Sequence, residues 1–173
     1  ISGTGSNLKN IIKFSKIKKS PISINLIVSD TYKAKGLSFA DQYKIKKEVF
    51  NFKNIKKIIL LLKKEKIKFI CLAGFMKILT KDFIKKFEGK IINIHPSLLP
   101  RYKGLNTHNK AINNGDKFSG CTVHYVTAKL DSGKIILQKK IKITSSDNSA
   151  SLAKKVLKQE HKLYPAAILK IFN

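Results

Sequence analysis

The sequence lacks any apolar run that approaches the roughly 20 residues needed to cross a bilayer, so we expect no contact with a membrane. It has only two cysteines, Cys71 and Cys121, which lie far apart in apolar segments and match no metal-ligand spacing. We therefore expect small core residues, a reducing cytoplasmic environment and no bound metal. The chain has no signal-peptide pattern and no initiator Met, so we expect the first residues, with most of a first strand, to be missing.

Acidic residues are scarce, because Asp and Glu number 10 against 36 Lys and Arg, giving a formal net charge of +26. Such an excess is typical of proteins that bind nucleic acid or other polyanions. However, arginine occurs only once, at Arg101, and the lysines are spread along the chain. An A/T-rich genome encodes this abundance of Lys, Ile and Asn, so we attribute most of the charge to codon bias. A basic nucleic-acid-binding domain stays as an alternative.

Short β-branched apolar runs alternate with segments of helical periodicity, which predicts βαβ units within one domain at 1–173. The expected fold class is α/β, a Rossmann-like, mostly parallel sheet with helices on both faces and antiparallel strands added at the C-terminal edge. Ile1 is expected to end a first strand. Further strands are predicted at 22–28, 44–49, 69–73, 90–94, 121–127 and 135–143, and helices at 8–17, 36–43, 52–66, 80–87, 107–113 and from 147 or 149 towards 172.

Asn93 and His95 stand at the end of one predicted strand. Alternate side chains of a strand point the same way, so both should emerge on one face, and Pro96 should stop the strand directly after His95. An amide can hold a carbonyl, and an imidazole can give or take a proton near neutral pH. The pair indicates chemistry at a carbonyl, although a turn with a solvated His and a capping Asn is an alternative.

Asp131 lies in the loop between the last two predicted strands, where an Asp is commonly no more than a turn residue. Beside His95, its carboxylate would instead orient the imidazole and favour the acid form of the ring.

The loop Gly3-Thr4-Gly5-Ser6-Asn7 opens a predicted helix, whose N-terminal N–H groups favour an anion such as phosphate. It is neither a Walker A loop nor a complete dinucleotide fingerprint, and a plain tight turn is the alternative.

Two further stretches leave a structural and a functional interpretation open. The apolar residues around Met76 exceed what a simple connection needs, so they are either core or one wall of a pocket for a flat heteroaromatic ligand. Glu160, on the last helix, is either a surface charge or a carboxylate that accepts hydrogen bonds from ribose hydroxyls.

Taken in order, six segments resemble the phosphoribosylglycinamide formyltransferase family, the folate-dependent transformylases of purine synthesis. They are ISGTGSNL at 1–8, AGFMKIL at 73–79, NIHPSLLP at 93–100, GCTVHYV at 120–126, LDSG at 130–133, and QEH at 159–161 with the Tyr164-Pro165 that follows. The resemblance extends over nearly the whole chain, and NIHPSLLP is highly specific for folate-dependent formyl transfer.

The resemblance implies an enzyme that moves the formyl group of 10-formyltetrahydrofolate onto the amine of 5'-phosphoribosylglycinamide, by direct attack and with no metal. It implies that Asn93 and protonated His95 stabilise the tetrahedral oxyanion, while Asp131 holds His95 and helps to relay a proton. By position it also implies contacts to the phosphoribosyl substrate from Gly5, Ser6, Asn7 and Glu160, and to the folate from Met76, Lys77, Ile78, Leu79, Asn93, Val126, Thr127 and Asp131.

Two departures from the family pattern concern the folate side. Lys77 stands where the family usually carries Arg, which keeps the charge but loses bidentate geometry. The basic residue that meets the folate glutamate tail is hard to place, and Lys53 is the candidate. Sister enzymes, formyltetrahydrofolate deformylase and methionyl-tRNA formyltransferase, are the nearest alternatives; both normally carry an extra domain that we do not expect here. The oligomeric state does not follow from the sequence.

Overall fold

The computed structural model describes residues 1–50 and 54–173, which form two compact units, Ile1–Ile91 and Ile92–Asn173. The first unit contains α1 (Ser6–Ser15), β1 (Leu26–Ser29), a 3₁₀ turn (Lys35–Leu37), α2 (Ser38–Tyr43), β2 (Lys46–Val49), α3 (Ile55–Lys64), β3 (Phe69–Leu72) and α4 (Lys81–Lys86). Strand β4 (Lys90–His95) runs across the boundary, and the second unit continues with α5 (Thr107–Asn113), β5 (Phe118–Tyr125), β6 (Ile135–Lys142) and α6 (Ser149–Phe172). Within the described ranges, no helix is both long and apolar enough to span a membrane.

In the first unit, β1 and β2 pair in parallel, with Leu26 opposite Lys46 and Ser29 opposite Val49. The helices on this unit bury one apolar face each, as their spacing predicts. The buried apolar positions of α1 and α3 are Leu8, Ile11, Ile12, Phe14, Ile58, Ile59 and Leu62.

In the second unit, β4, β5 and β6 form an antiparallel array, with a register irregularity between Val123 and His124. The long helix α6 packs against β5, β6 and α5. These elements share a core cluster of Ala111, Cys121, Leu152 and Val156, none more than 1% exposed. The α/β class, with parallel pairing early in the chain and antiparallel strands towards its end, is thus confirmed.

Several element boundaries differ from the predicted ones for local reasons. The strand predicted from Ile22 begins only at Leu26, and the Ile22 carbonyl and N–H are instead bonded to the Ser20 hydroxyl. Helix α1 begins earlier than predicted, at Ser6, since the Gly5 carbonyl already accepts from Lys9 N–H. Ile1 is not part of a strand, although its nitrogen donates to the Val28 carbonyl.

The N-caps of α4 and α6 are residue types that favour this position. Thr80 caps α4, its hydroxyl accepting from Phe83 N–H, and Asn148 caps α6, which fixes its start at Ser149. All four residues of strand β3 are half-buried. Cys121 is a fully buried core residue as expected, whereas Cys71 is only half-buried.

Candidate active site

The end of β4 carries the predicted pair. The strand stops at His95, directly before Pro96, and His95 is only 5% exposed. Across the antiparallel ladder, Asn93 lies opposite His124 and His95 lies opposite Thr122 of β5. The alternative of a solvated His in a simple turn is therefore wrong.

The His95 ring has an oxygen acceptor at each nitrogen. Its Nε2 lies 2.8 Å from the Tyr102 carbonyl oxygen, and its Nδ1 lies 3.4 Å from Asp131 Oδ2. A neutral imidazole has only one N–H, whereas the protonated ring can donate on both sides. The two oxygens therefore fix the orientation of the ring between Tyr102 and Asp131.

Asp131 reaches this position from the loop between β5 and β6. Its backbone adopts a φ of 44°, and its side chain is 9% exposed. One carboxylate oxygen accepts from Gly104 N–H at 2.8 Å, and the other lies 3.7 Å from His124 Nε2. The loop is closed tightly at its far end, where a Cβ on Gly133 would clash with the Tyr125 carbonyl. Asp131 is therefore more than a turn residue.

His124 is a further member of the site that the sequence did not identify. Its Nδ1 lies 2.8 Å from the Tyr125 carbonyl and donates to it, so its Nε2 accepts from Asn93 Nδ2 at 3.3 Å. Burial lowers the pKa of His124, partly offset by the Tyr125 carbonyl and the Asp131 carboxylate. A neutral His124 therefore fixes the orientation of the Asn93 amide. The sequence shows that His124 stands two residues after Thr122, on the same face of β5. It does not show the register that places His124 opposite Asn93 of β4.

Thr122 anchors the turn that follows His95. Its buried hydroxyl donates to the Ser97 carbonyl at 2.6 Å and accepts from Leu99 N–H at 3.1 Å. Gln138 of β6 donates both to this hydroxyl, at 2.8 Å, and to the Leu99 carbonyl, at 3.0 Å. Hydrogen-bond networks centred on a buried group such as the Thr122 hydroxyl hold a backbone rigidly. The chain direction after His95 is consequently fixed from β5 and β6.

The glycine-rich loop precedes α1 in the first unit, as predicted. Gly5 adopts a φ of 77° at the N-cap, and no side chain caps the helix there. A Cβ on Gly5 would lie 2.6 Å from the Gly36 Cα, so the two glycines allow a close approach of two backbone segments. Ser6 and Asn7 form the first turn, and Asn7 is 8% exposed. The N-terminus of α1 thus has no side-chain cap, and backbone N–H groups at such a helix end favour an anion.

The segment from Met76 to Leu79 lies in the loop after β3. Met76 and Ile78 are 64% and 66% exposed, which contradicts the core interpretation for these two residues, whereas Leu79 is buried. Lys77 is exposed as well. Met76 N–H donates to the Ser2 hydroxyl at 2.9 Å, so this loop adjoins the glycine-rich loop within the first unit.

The remaining predicted contacts are distributed over the second unit. Val126 and Thr127 follow β5 directly, half-buried and exposed respectively. Glu160 is only 6% exposed on α6, so the surface-charge interpretation is wrong. Lys53 lies outside the described residues. In the ranges 1–50 and 54–173, no group of three or more His, Cys, Asp or Glu side chains could hold a metal ion.

Comparisons with known proteins match nearly the whole chain. The family model described as Formyl transferase matches residues 1–168. Phosphoribosylglycinamide formyltransferase of Haemophilus influenzae is 41% identical over 175 residues, covering 97% of this chain and 82% of that protein. The crystal structure of phosphoribosylglycinamide formyltransferase from Brucella melitensis is 41% identical with a TM-score of 0.93, covering 99% of this chain and 92% of that one.

Longer relatives match as well. The human trifunctional purine biosynthetic protein adenosine-3 is 41% identical over 175 residues, which cover 97% of this chain. The chain spans only 17% of the length of that protein.

Proposed function

Because the chain belongs to the formyl transferase family, we propose that it transfers the formyl group of 10-formyltetrahydrofolate to the amine of 5'-phosphoribosylglycinamide in de novo purine biosynthesis. The observation that carries this proposal is the arrangement of the buried His95 with the half-buried Asn93 and Asp131 at the end of β4. It combines an amide donor, an imidazole and a carboxylate, which are the groups that acyl transfer to an amine requires.

In the proposed reaction, the substrate amine attacks the formyl carbon directly. A bond forms between the amine nitrogen and this carbon, and the carbonyl oxygen becomes an oxyanion in a tetrahedral intermediate. Asn93 Nδ2 has a second N–H beyond the one that His124 accepts, and this N–H is available for the oxyanion. Removing such a donor typically slows a reaction about 10²–10³-fold.

His95 would be the second donor. Its Nδ1 lies 3.4 Å from Asp131, longer than the roughly 2.8 Å of a strong charge-assisted hydrogen bond. The Nδ1–H of His95 can therefore donate to a substrate oxygen, while the Asp131 carboxylate still stabilises the protonated imidazole. As the bond from the formyl carbon to N10 of the folate breaks, the proton lost by the amine passes through His95 and Asp131 to N10. No covalent enzyme intermediate is needed.

For the substrates, we propose the positions implied by the family resemblance. The open N-terminus of α1 at Gly5, Ser6 and Asn7 would hold the phosphate, and the buried Glu160 the ribose hydroxyls. The exposed apolar side chains of Met76 and Ile78, with Lys77 and Leu79, would contact the folate, as would Val126 and Thr127. We propose that the partners are small molecules in the cytoplasm, and that the reaction requires neither a nucleic acid nor a metal.

The experiment is a formyl-transfer assay on the full-length protein and its His95→Ala variant, following loss of the formyl donor. We expect turnover that requires the ribonucleotide and falls at least about 10²-fold in the variant, while circular dichroism shows both proteins folded. Donor consumption without the ribonucleotide, yielding formate, would indicate a deformylase instead. Activity that survives His95→Ala would refute the assigned site.

A further inference from the structure

The backbone of the loop at 101–106 contacts two side chains of the proposed site, His95 and Asp131. The Tyr102 carbonyl oxygen lies 2.8 Å from His95 Nε2. Two residues later, Gly104 N–H donates to Asp131 Oδ2 at 2.8 Å. The position of this one short loop therefore sets where the imidazole and the carboxylate stand relative to each other.

The conformation of this loop has to be held by its surroundings. Tyr102 and Asn106 have φ angles of 53° and 61°, and Gly104 between them has a φ of 75°. Residues other than glycine adopt the left-handed region infrequently, and they stay there only when neighbouring contacts enforce it. Tyr102 is the position at which the backbone contact to His95 is made, so the contacts of its side chain matter.

Asp116, just after α5, supplies the principal anchor. The Tyr102 hydroxyl donates to Asp116 Oδ2 at 2.7 Å, and Arg101 Nη2 donates to Asp116 Oδ1 at 2.7 Å. Asn114 Nδ2 donates to the Tyr102 hydroxyl at 2.9 Å. The Asp116 side chain is 9% exposed, and the Tyr102 ring packs against the core cluster of α5, β5 and α6. The loop is thus tied to a buried core cluster of the second unit.

Arg101 makes contacts here that a lysine would not reproduce. It is the only arginine among 36 basic residues. Its guanidinium lies over the Tyr102 ring, 5.0 Å from the centroid, and Nη2 donates to both the Tyr102 hydroxyl and Asp116. Stacking and donating at once requires a planar group, which the point charge of lysine is not. The single arginine therefore stands where its geometry is used.

We propose that Arg101, Tyr102 and Asp116 are positioning residues that hold His95 and Asp131 in the geometry for formyl transfer. The proposal rests on the proposed function. None of the three side chains touches His95 or Asp131 directly, so they act through the Tyr102 carbonyl and the Gly104 amide. Their loss lowers kcat and leaves the KM of both substrates nearly unchanged, because misplaced catalytic groups slow the reaction without removing substrate contacts.

The test compares Tyr102→Phe and Asp116→Asn with Asp147→Asn as a matched control. The Asp147 side chain is also nearly buried, 2% exposed, and it accepts from Lys155 at 2.6 Å and from Ser151 at 2.8 Å. It lies beside the N-terminus of α6, and among the described residues no hydrogen bond or ion pair joins it to the loop at 101–106. We expect kcat to fall about 10- to 100-fold in the first two variants, with KM within about 3-fold of the original value. The control should keep its kcat.

A second measurement does not depend on turnover. In protein labelled with ¹⁵N-histidine, the imidazole signals of His95, assigned with His95→Ala, should shift in Tyr102→Phe and Asp116→Asn but not in Asp147→Asn. If the original protein transfers no formyl group, the proposed function fails, and this signal still tests the positioning role. If Asp116→Asn does not fold, Tyr102→Phe and Arg101→Lys provide the comparison. Unchanged kcat with unmoved His95 signals, or an equal loss in Asp147→Asn, would overturn the inference.

Discussion

Replacing Asp131 by Asn tests the electrostatic interaction between Asp131 and His95. The substitution keeps the shape of the side chain and an acceptor for Gly104 N–H, and it removes one negative charge 3.4 Å from His95 Nδ1. Both side chains are nearly buried, so solvent screens the pair little. Coulomb's law with an effective dielectric constant of about 20 gives about 5 kcal/mol for unit charges at this distance. That energy corresponds to a factor of about 4,000 in rate.

The amide dipole of Asn recovers part of this stabilisation, so we expect kcat to fall about 10³-fold. The assay is steady-state formyl transfer, with thermal unfolding as a check on folding. Asp41→Asn is the control, since Asp41 pairs with Lys47 at 2.6 Å but is 66% exposed, and such pairs contribute little. A folded Asp131→Asn protein that keeps more than a tenth of its kcat, or loses activity only through KM, would refute the reasoning.

Three further outcomes are expected. Burial lowers the pKa of His108, His124 and His161 below the ordinary 6.5. The unfolded chain then binds more protons than the folded one, so the free energy of unfolding declines as the pH falls below about 6.5. Denaturant unfolding from pH 7.5 to 5.5 measures this decline. Burial, with the negative charge of Glu160, raises the pKa of Cys121 to about 12, so peptide mapping should find its thiol unalkylated by iodoacetamide at pH 8 until the protein unfolds. Leu152→Ala should lower the free energy of unfolding by about 2–5 kcal/mol, because Leu152 is fully buried.

Each of these outcomes has a control or a contradicting result. A stability profile that stays flat or rises as the pH falls from 7.5 to 5.5 would contradict the lowered pKa values of the histidines. Rapid alkylation of Cys121 in the folded protein would contradict its burial. For the core substitution, Leu60→Ala is the matched control, since Leu60 is 67% exposed and should change stability by no more than about 0.5 kcal/mol.

The sequence predicted the parts of the site that depend on local rules. Asn93 and His95 share a face because side chains alternate along a strand, and Pro96 ends that strand because it has no N–H. Family resemblance added Asp131, which local rules alone would have left as a turn residue. The family itself was correctly predicted from short motifs.

The contacts that tune the site were not predictable in the same way. His124 meets Asn93 only because β4 and β5 pair in one particular register, and a shift by one residue would turn His124 to the other face. Tyr102 and Gly104 contribute backbone atoms, which carry no residue-specific signal in a sequence. The exposure of Met76 and the burial of Glu160 likewise depend on tertiary packing rather than on local pattern.

The abundance of lysine and the single arginine have different physical consequences. A surface ion pair such as Lys46 with Glu65, 2.7 Å apart, needs only a positive charge on a flexible stem. A compositional drift towards lysine is tolerated at such places because little energy depends on geometry there. Beside Asp116, the cation must stack on one ring and donate to two oxygens, and a drift to lysine would lose part of that arrangement. The proposed positioning role of Arg101 thus concerns the one position at which this lysine-rich chain has an arginine.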